Sequence, residues 1–194
     1  KGGIIEGLQA YTSVLEIPGE VDLAIIVVNA KFVLDTIDQC HEKGKKGLCI
    51  ITAGFKETGA EGAEAEKQLL AKVREYGMRC VGPNCLGVVN THPDIRMDGC
   101  FAESLPERGN IGFVSQSGAL GGGILNILKD LNLGFAQFIS IGNQADVNAV
   151  TALEYWENEA DVEQILLYME SIQNPANFRK LASRISKKKP ILAL

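Results

Sequence analysis

The stretch "IGFVSQSGALGGGILNIL", residues 111–128, combines three patterns in a fixed order. An apolar run that predicts a buried strand ends at Ser115, a short polar loop follows, and amphipathic spacing predicts a helix over 119–131. A buried strand that leads through a tight loop into a helix is the building block of parallel α/β sheets. The stretch therefore predicts an α/β fold.

The same alternation runs along the whole chain. Short apolar runs predict strands at 23–28, 47–52, 79–82, 111–115, 135–141, 164–169 and 190–194. Helical spacing predicts helices between them, at 31–43, 60–77, 119–131, 147–159 and 175–187. Residues 90–110 show neither period and contain two prolines, which is typical of a crossover segment. We therefore predict two doubly wound domains, 1–105 and 106–194.

Charge and cysteine content argue against several classes of function. A net charge of -5 gives no general reason to expect nucleic acid or an anionic membrane as partner, and the longest apolar runs are too short to cross a bilayer. The five cysteines are odd in number and form no C-x-x-C pair, and only two histidines are present. This pattern argues against a disulfide framework or a zinc site, so no metal ligands are predicted, and it favours a reducing cytoplasm.

The loop at 115–118 matches none of the common catalytic motifs. The glycines of a G-x-S-x-G nucleophile elbow are missing around Ser115 and Ser117, no lysine follows as in a P-loop, and G-x-G-x-x-G is absent. What remains is a helix start, where free N–H groups and the helix dipole favour an anion. A simple helix cap at Ser117 explains the residues equally well. Three glycines at 121–123 are costly inside a helix and predict that something large packs closely there, either another helix or a partner surface.

Two acidic residues stand at predicted strand ends or helix starts, where α/β folds bind ligands. Glu170 follows the strand at 164–169 and could cap the next helix, orient a histidine, or act as acid or base. Asp146 is predicted to cap the helix that begins near Val147. Cys85, in the turn sequence "GPNC", has no histidine nearby in the sequence, so a catalytic thiol is not favoured.

In order and spacing, these loops resemble the NDP-forming acyl-CoA synthetases, the family that includes ADP-forming acetyl-CoA synthetase and the succinyl-CoA synthetase α subunit. The matching segments are "KGG" 1–3, "VDLAIIVV" 21–28, "IITAGF" 50–55, "GPNCLGVVN" 82–90, "GFVSQSGALGGGIL" 112–125, "SIGNQADVN" 140–148 and "LLYMESIQNP" 166–175. The resemblance implies that 1–105 is a CoA-binding Rossmann-like domain, truncated at its amino end. It also implies that 106–194 is a flavodoxin-like ligase domain, truncated at its carboxyl end.

The family joins a carboxylic acid to CoA at the expense of a nucleoside triphosphate, through an acyl phosphate and a phosphohistidine. The resemblance implies that CoA contacts lie at Lys1, Val28, Asn29, Ile51, Thr52, Ala53, Asn84 and Cys85. The succinyl-type enzymes have proline where Asn29 stands and glutamate where Ala53 stands. Phosphate binding is implied at Ser117, Gly118 and Ala119, and Glu170 is implied to contact the active histidine.

Several parts of the family are expected to lie outside this chain. Neither His41 nor His92 matches the phosphorylated histidine, which is expected beyond Leu194, and the first glycine-rich loop is expected before Lys1. ATP or ADP and Mg²⁺ would bind at an ATP-grasp domain or subunit, within an oligomer. We therefore expect the chain alone to be inactive.

Two other functions stay open at this stage. An acyl-CoA-sensing region of a protein lysine acetyltransferase would carry nearly the same loops, and the sequence after Leu194 would distinguish it. An NAD-type redox domain has less support, because no dehydrogenase residues are visible in the chain.

Overall fold

The computed structural model describes residues 2–102 and 107–194 and confirms the α/β architecture. The amino-terminal part begins with an exposed antiparallel hairpin and continues with a parallel sheet in the order β3-β4-β5. Its strands are β1 (Gly3–Ile5), β2 (Leu8–Ala10), β3 (Leu23–Ile26), β4 (Gly47–Ile50) and β5 (Arg79–Val81). Its helices are α1 (Val33–Glu42) and α2 (Ala60–Glu75), with short 3₁₀ turns at Val14–Glu16, Ala30–Phe32 and Lys56–Thr58.

The second sheet has six strands in the order β11-β10-β8-β9-β6-β7. The strands are β6 (Gly87–Asn90), β7 (Met97–Cys100), β8 (Arg108–Ser115), β9 (Phe135–Ser140), β10 (Gln164–Tyr168) and β11 (Ile191–Ala193). The helices are α3 (Gly118–Asp130), α4 (Ala149–Trp156) and α5 (Pro175–Ile185). β8 to β11 run parallel to one another, whereas β6 and β7 are antiparallel additions beside β9.

Residues 90–110, which lack strand periodicity and were predicted to be a crossover segment, contain a strand. β7 lies in this stretch and pairs with β6, which in turn pairs with β9 of the second sheet. The sequence "MDGC" of β7 carries no apolar run because this strand is at the edge of the sheet and only partly buried. The domain boundary near residue 105 stays a prediction, and residues 103–106 are outside the described part of the chain.

Buried apolar side chains hold helices against both sheets. In the amino-terminal part, Ile37 and Leu69 of the two helices pack with Leu48 and Ile50 of β4. The six-stranded sheet is covered on both faces, by Leu153 and Trp156 of α4 among others on one face and by α3 on the other. No helix in the described residues is long and apolar enough to cross a membrane.

The direction of the connections leaves an opening beside the end of β8. β9 lies on one side of β8 and β10 on the other, so the chain changes direction across the sheet after β9. At such a switch point the loops after the strands diverge and leave a crevice, which is where open α/β sheets bind ligands. The loop between β8 and α3, which contains Gln116 and Ser117, lies at this opening.

Candidate active site

A cleft of about 970 Å³ lies between the loops of the two sheets. The amino-terminal part contributes Ile51, Ala53, Lys56, Glu57, Asn84 and Cys85. The second sheet and its helices contribute Gln116, Ser117, Gly118, Ala119, Gly122, Gly123, Asn126, Gly142, Asn143 and Glu170, and Leu86, Phe101 and Ala102 complete the lining. The cleft therefore brings together the carboxyl ends of strands from both sheets.

The residues implied for CoA fall into two groups. Ile51, Ala53, Asn84 and Cys85 line the cleft, whereas Val28, Asn29 and Thr52 are not among its lining residues. The buried Thr52 hydroxyl donates a hydrogen bond to the Val28 carbonyl at 2.7 Å, which ties the end of β4 to the end of β3. Asn29 caps the next turn, where its Oδ1 accepts from the Lys31 N–H at 3.2 Å. Lys1 lies outside the described residues.

The loop after β8 forms a helix cap and leaves further donors at the cleft. Ser115 is the last residue of β8, and its buried hydroxyl donates to the Ser117 carbonyl at 2.6 Å. Ser117 Oγ accepts from the Leu120 N–H at 3.3 Å, so the predicted cap is present. Within the first turn of α3 the N–H groups of Gly118 and Ala119 have no intrahelical partner, as at any helix start. The cap and an anion site are therefore compatible.

The glycine run in α3 has one close neighbour, which is the sheet itself. A Cβ on Gly121 would lie 3.0 Å from Phe138 Cζ and 3.1 Å from Ser115 Cβ. A Cβ on Gly122 would reach only Leu86 at 3.5 Å, and one on Gly123 would meet nothing within 4 Å. Close packing is thus present at Gly121, but against the sheet and not against another helix or a partner surface as predicted, while Gly122 and Gly123 line the cleft.

Glu170 lies at the cleft with its carboxylate exposed. Its backbone N–H donates to Gln116 Oε1 at 2.9 Å, and the Ser171 N–H donates to the same oxygen at 3.0 Å. No described residue hydrogen-bonds or ion-pairs with the carboxylate itself. The sequence left open whether Glu170 caps the next helix, α5. The cap is Asn174 instead, whose Oδ1 accepts from the Asn177 N–H at 3.2 Å. Gln116, which the sequence analysis did not single out, therefore fixes the backbone of Glu170.

A second residue that sequence reasoning missed, Asn143, joins the two sheets. Its buried side chain donates through Nδ2 to Glu57 Oε2 at 2.6 Å and to Glu66 Oε2 at 2.7 Å. Its Oδ1 accepts from Asn84 Nδ2 at 3.3 Å. Its backbone N–H donates to the Pro83 carbonyl at 2.9 Å, and its own carbonyl accepts from Lys56 Nζ. All these partners belong to the loops and helix around β4 and β5.

The hydrogen bond from Asn143 affects the pKa of the Glu57 carboxyl group. Burial alone would raise its pKa, but hydrogen bonds from Asn143 and from the N–H groups of Gly54 and Phe55 together lower the pKa below the ordinary value of 4.5. The ionised form is therefore the one that the folded protein stabilises.

The role predicted for Asp146 was wrong. The cap of α4 is Asn148, whose Oδ1 accepts from the Thr151 N–H at 3.1 Å. Asp146 Oδ2 instead accepts from Arg79 Nε at 2.8 Å and from the Cys80 N–H at 3.0 Å. Residues 145–147 run beside β5, where the N–H groups of Ala145 and Val147 donate to carbonyls of that strand and the turn after it. Asp146 therefore hydrogen-bonds with β5 and does not cap α4.

Comparison with known proteins finds two families along the chain. Residues 1–91 match the model of a CoA binding domain. Residues 108–194 match the model of a succinyl-CoA ligase like flavodoxin domain. The two matches leave the β7 strand and the segment after it between them.

Similar proteins are larger than this chain. The α subunit of acetate–CoA ligase [ADP-forming] II from Pyrococcus furiosus is 48% identical over 98% of the chain, which spans 41% of that subunit. A crystal structure of a protein from Pyrococcus horikoshii OT3 has a TM-score of 0.93 and 48% identity, over 98% of this chain and 43% of that one. An acetyl-coenzyme A synthetase from Ca. Korarchaeum cryptofilum, solved with phosphate and ADP, has a TM-score of 0.90 and 35% identity, over 98% and 41%. The chain thus spans less than half the length of these relatives.

Proposed function

The chain belongs to the NDP-forming acyl-CoA synthetase family, and from this premise we propose that it supplies the CoA site and the phosphohistidine-binding site of an ADP-forming acid–CoA ligase. The full protein would make an acyl-CoA from a carboxylic acid, CoA and a nucleoside triphosphate. The observation that carries the proposal is the cleft, in which the loops implied for CoA face the helix start implied for phosphate.

The first-sheet side of the cleft suits CoA. Ala53 and Ile51 offer a small and an apolar side chain, and Asn84 and Cys85 lie where the thiol end would approach the second sheet. The cleft is concave and combines these side chains with polar and charged ones such as Lys56 and Glu57, and concave sites with positioned polar groups are typical of cofactor binding.

The second-sheet side suits an anion and its carrier. The N–H groups of Gly118 and Ala119, with the dipole of α3, would bind a phosphate that is carried on a histidine. The Glu170 carboxylate, free of described partners, would accept a hydrogen bond from that histidine and fix its orientation. Preorganised donors of this kind stabilise the charge that develops during phosphoryl transfer.

The remaining parts of the reaction would come from elsewhere in the full protein. We assign the nucleotide and Mg²⁺ to an ATP-grasp domain or subunit, and the active histidine to a loop outside this sequence. The five cysteines of the chain are free, which suits a cytoplasmic setting. The relatives described above bear ligase or synthetase names where a function is given, so an acetyltransferase-linked sensor has no support of its own.

Titration calorimetry with CoA tests the first half of the proposal. Ala53→Trp would fill the cleft at the assigned site, whereas Ala160→Trp places the same side chain at an exposed position away from the cleft. We expect Ala53→Trp to weaken CoA binding by about tenfold or more, which corresponds to ~1.4 kcal/mol, and Ala160→Trp to bind like wild type. Equal affinity in both variants would contradict the CoA assignment.

Phosphohistidine formation in the full-length protein tests the second half. Ser117→Leu would block the anion site, and Ser183→Leu is the matched control on the exposed face of α5. We expect the Ser117 variant to lose most of the label from the nucleoside triphosphate and the Ser183 variant to keep it. Circular dichroism would establish that both variants are folded. Normal labelling in a folded Ser117→Leu protein would refute the phosphate assignment.

A further inference from the structure

Two cysteines that are distant in the sequence meet at the base of the cleft. Cys49 lies in β4 and Cys85 follows β5, and their Sγ atoms are 3.9 Å apart. Cys49 is fully buried, whereas Cys85 is 5% exposed and lines the cleft. A disulfide requires the sulfurs to approach to ~2.05 Å, so the two Sγ atoms would have to move closer by about 1.9 Å. One thiol can therefore be reached from the cleft, and the second lies directly behind it.

The surroundings give the two thiols different reactivity. In its neutral form the Cys85 thiol donates to the Ile50 carbonyl at 3.3 Å, whereas hydrogen bonds from Cys49 and from the Gly87 N–H stabilise the thiolate and lower the pKa of Cys85 against the effect of burial. The hydrogen bond between the two thiols, together with burial, raises the pKa of Cys49. Cys85 lines the cleft and Cys49 is fully buried, so Cys85 is the attacking group and Cys49 the resolving one, and the lowered pKa of Cys85 agrees with this order because the thiolate is the nucleophile.

We propose that Cys85 and Cys49 form a thiol–disulfide exchange site whose substrate is the disulfide of CoA. This inference rests on the proposed CoA site, which would bring the sulfur end of a CoA group to Cys85. The Cys85 thiolate attacks one sulfur of the CoA disulfide, the S–S bond breaks, and one CoA leaves as a thiolate that takes up a proton. Cys85 then carries the other CoA as a mixed disulfide.

The second step regenerates CoA. Cys49 loses its proton and attacks Cys85 Sγ, so that the mixed disulfide breaks and the second CoA leaves as a thiol. The products are a Cys49–Cys85 disulfide and two CoA thiols. The two protein thiols are oxidised and the CoA disulfide is reduced, so electrons balance without any other reagent.

The other cysteines provide an internal comparison. Cys100 is more exposed than Cys85, but it does not line the cleft, and burial raises its pKa to about 11. Burial also raises the pKa of Cys80 to about 12. If exposure alone governed the reaction, Cys100 would react first. The proposed site instead requires reaction at Cys85.

Intact-mass spectrometry after incubation with CoA disulfide tests the proposal. We expect Cys49→Ser to retain one CoA group at Cys85, wild type to lose two hydrogens and form the Cys49–Cys85 disulfide, and Cys85→Ser to show neither change. Cys49→Ala serves as a second trapping variant, because a small apolar side chain keeps the buried position filled. Oxidised glutathione lacks the nucleotide and should react at least about tenfold more slowly, because binding is what brings the reacting atoms together.

Three results would overturn the proposal. These are a trapping variant that is folded but carries no CoA group, a CoA group that maps to Cys100, and equal rates with CoA disulfide and oxidised glutathione. Titration of the same preparation with reduced CoA separates this failure from a failure of the proposed function. Normal CoA binding without any adduct would remove the exchange site and leave the ligase assignment intact.

Discussion

Two glutamates at the junction of the sheets differ in what surrounds their carboxylates. Glu66 is 8% exposed and accepts hydrogen bonds from Asn143 and from the Lys56 N–H, with Lys56 Nζ 3.7 Å away. Glu170 lies across the cleft, exposed and without a described partner for its carboxylate. A buried carboxylate has to be paired, whereas an exposed one can stay available for a ligand. We call the first region, around Asn143, the closed side of the junction, and the second, around Ser117 and Glu170, the open side.

The largest expected effect is at the closed side, at Gly142. Its φ is +50°, and an added Cβ would lie 2.3 Å from the Asn84 carbonyl oxygen and 2.4 Å from that of Pro83. We expect Gly142→Ala to lower the free energy of unfolding by about 2–4 kcal/mol. Gly123→Ala at the open side, with no atom within 4 Å of the new Cβ, should raise it by up to ~1 kcal/mol. Denaturant unfolding that gave the two variants equal stability would remove the distinction between the sides.

Asn143→Ala should have the next largest effect. It leaves the buried Glu66 carboxylate without its amide donor, and we expect a loss of about 2 kcal/mol in the free energy of unfolding. Asn158→Ala, at an exposed position, should change stability by less than ~0.5 kcal/mol. Adding Glu66→Gln to Asn143→Ala should recover part of the loss, because the buried charge that has lost its amide donor is removed. A loss that stays the same in the double variant would contradict the pairing.

Acid should weaken the closed side through Glu57. Its pKa is below the ordinary 4.5 in the folded state, so its stabilising contribution is complete above that value and is lost as the pH falls through the folded pKa. We expect Glu57→Gln to flatten the decline of unfolding free energy on acidification below pH 4.5. Unfolding curves across this range measure the effect. The same steep decline in wild type and Glu57→Gln would assign it to other carboxylates.

The smallest effect on stability is expected at the open side. Glu170→Gln should change the free energy of unfolding by less than ~0.5 kcal/mol, because the carboxylate supports no described contact. In the full-length protein the same variant should reduce phosphohistidine formation. A large loss of stability would instead make Glu170 a structural residue and remove it from the proposed site.

The fold was largely predictable because each central strand carries its own signal. β9 and the second half of β8 are buried on both faces, and β10 is buried on one face and partly buried on the other, and such strands appear in the sequence as continuous apolar runs. β7 was missed because an edge strand needs no such run. The Asp146 cap failed for a different reason, since Arg79 and the Cys80 N–H, both distant in sequence, compete for its carboxylate.

At the site, the local sequence pattern predicted where the loops are, but not which residues they contact. The helix start at Ser117 was predictable, since a serine before an amphipathic run caps locally. Asn143 and Gln116 were not, because their contacts join loops that are distant in sequence. The meeting of Cys49 and Cys85 was likewise not predictable, because the two cysteines lie 36 residues apart in the sequence.

The sequence by itself determined the helices and the central strands, because burial imposes periods that a chain carries locally. It also determined the family, through loops in a fixed order. The tertiary structure alone decided which loop faces which, and therefore which polar groups are used up in the junction and which stay free. The physical reason is that hydrogen bonds between sheets depend on distances of a few ångströms, which spacing along a chain does not encode.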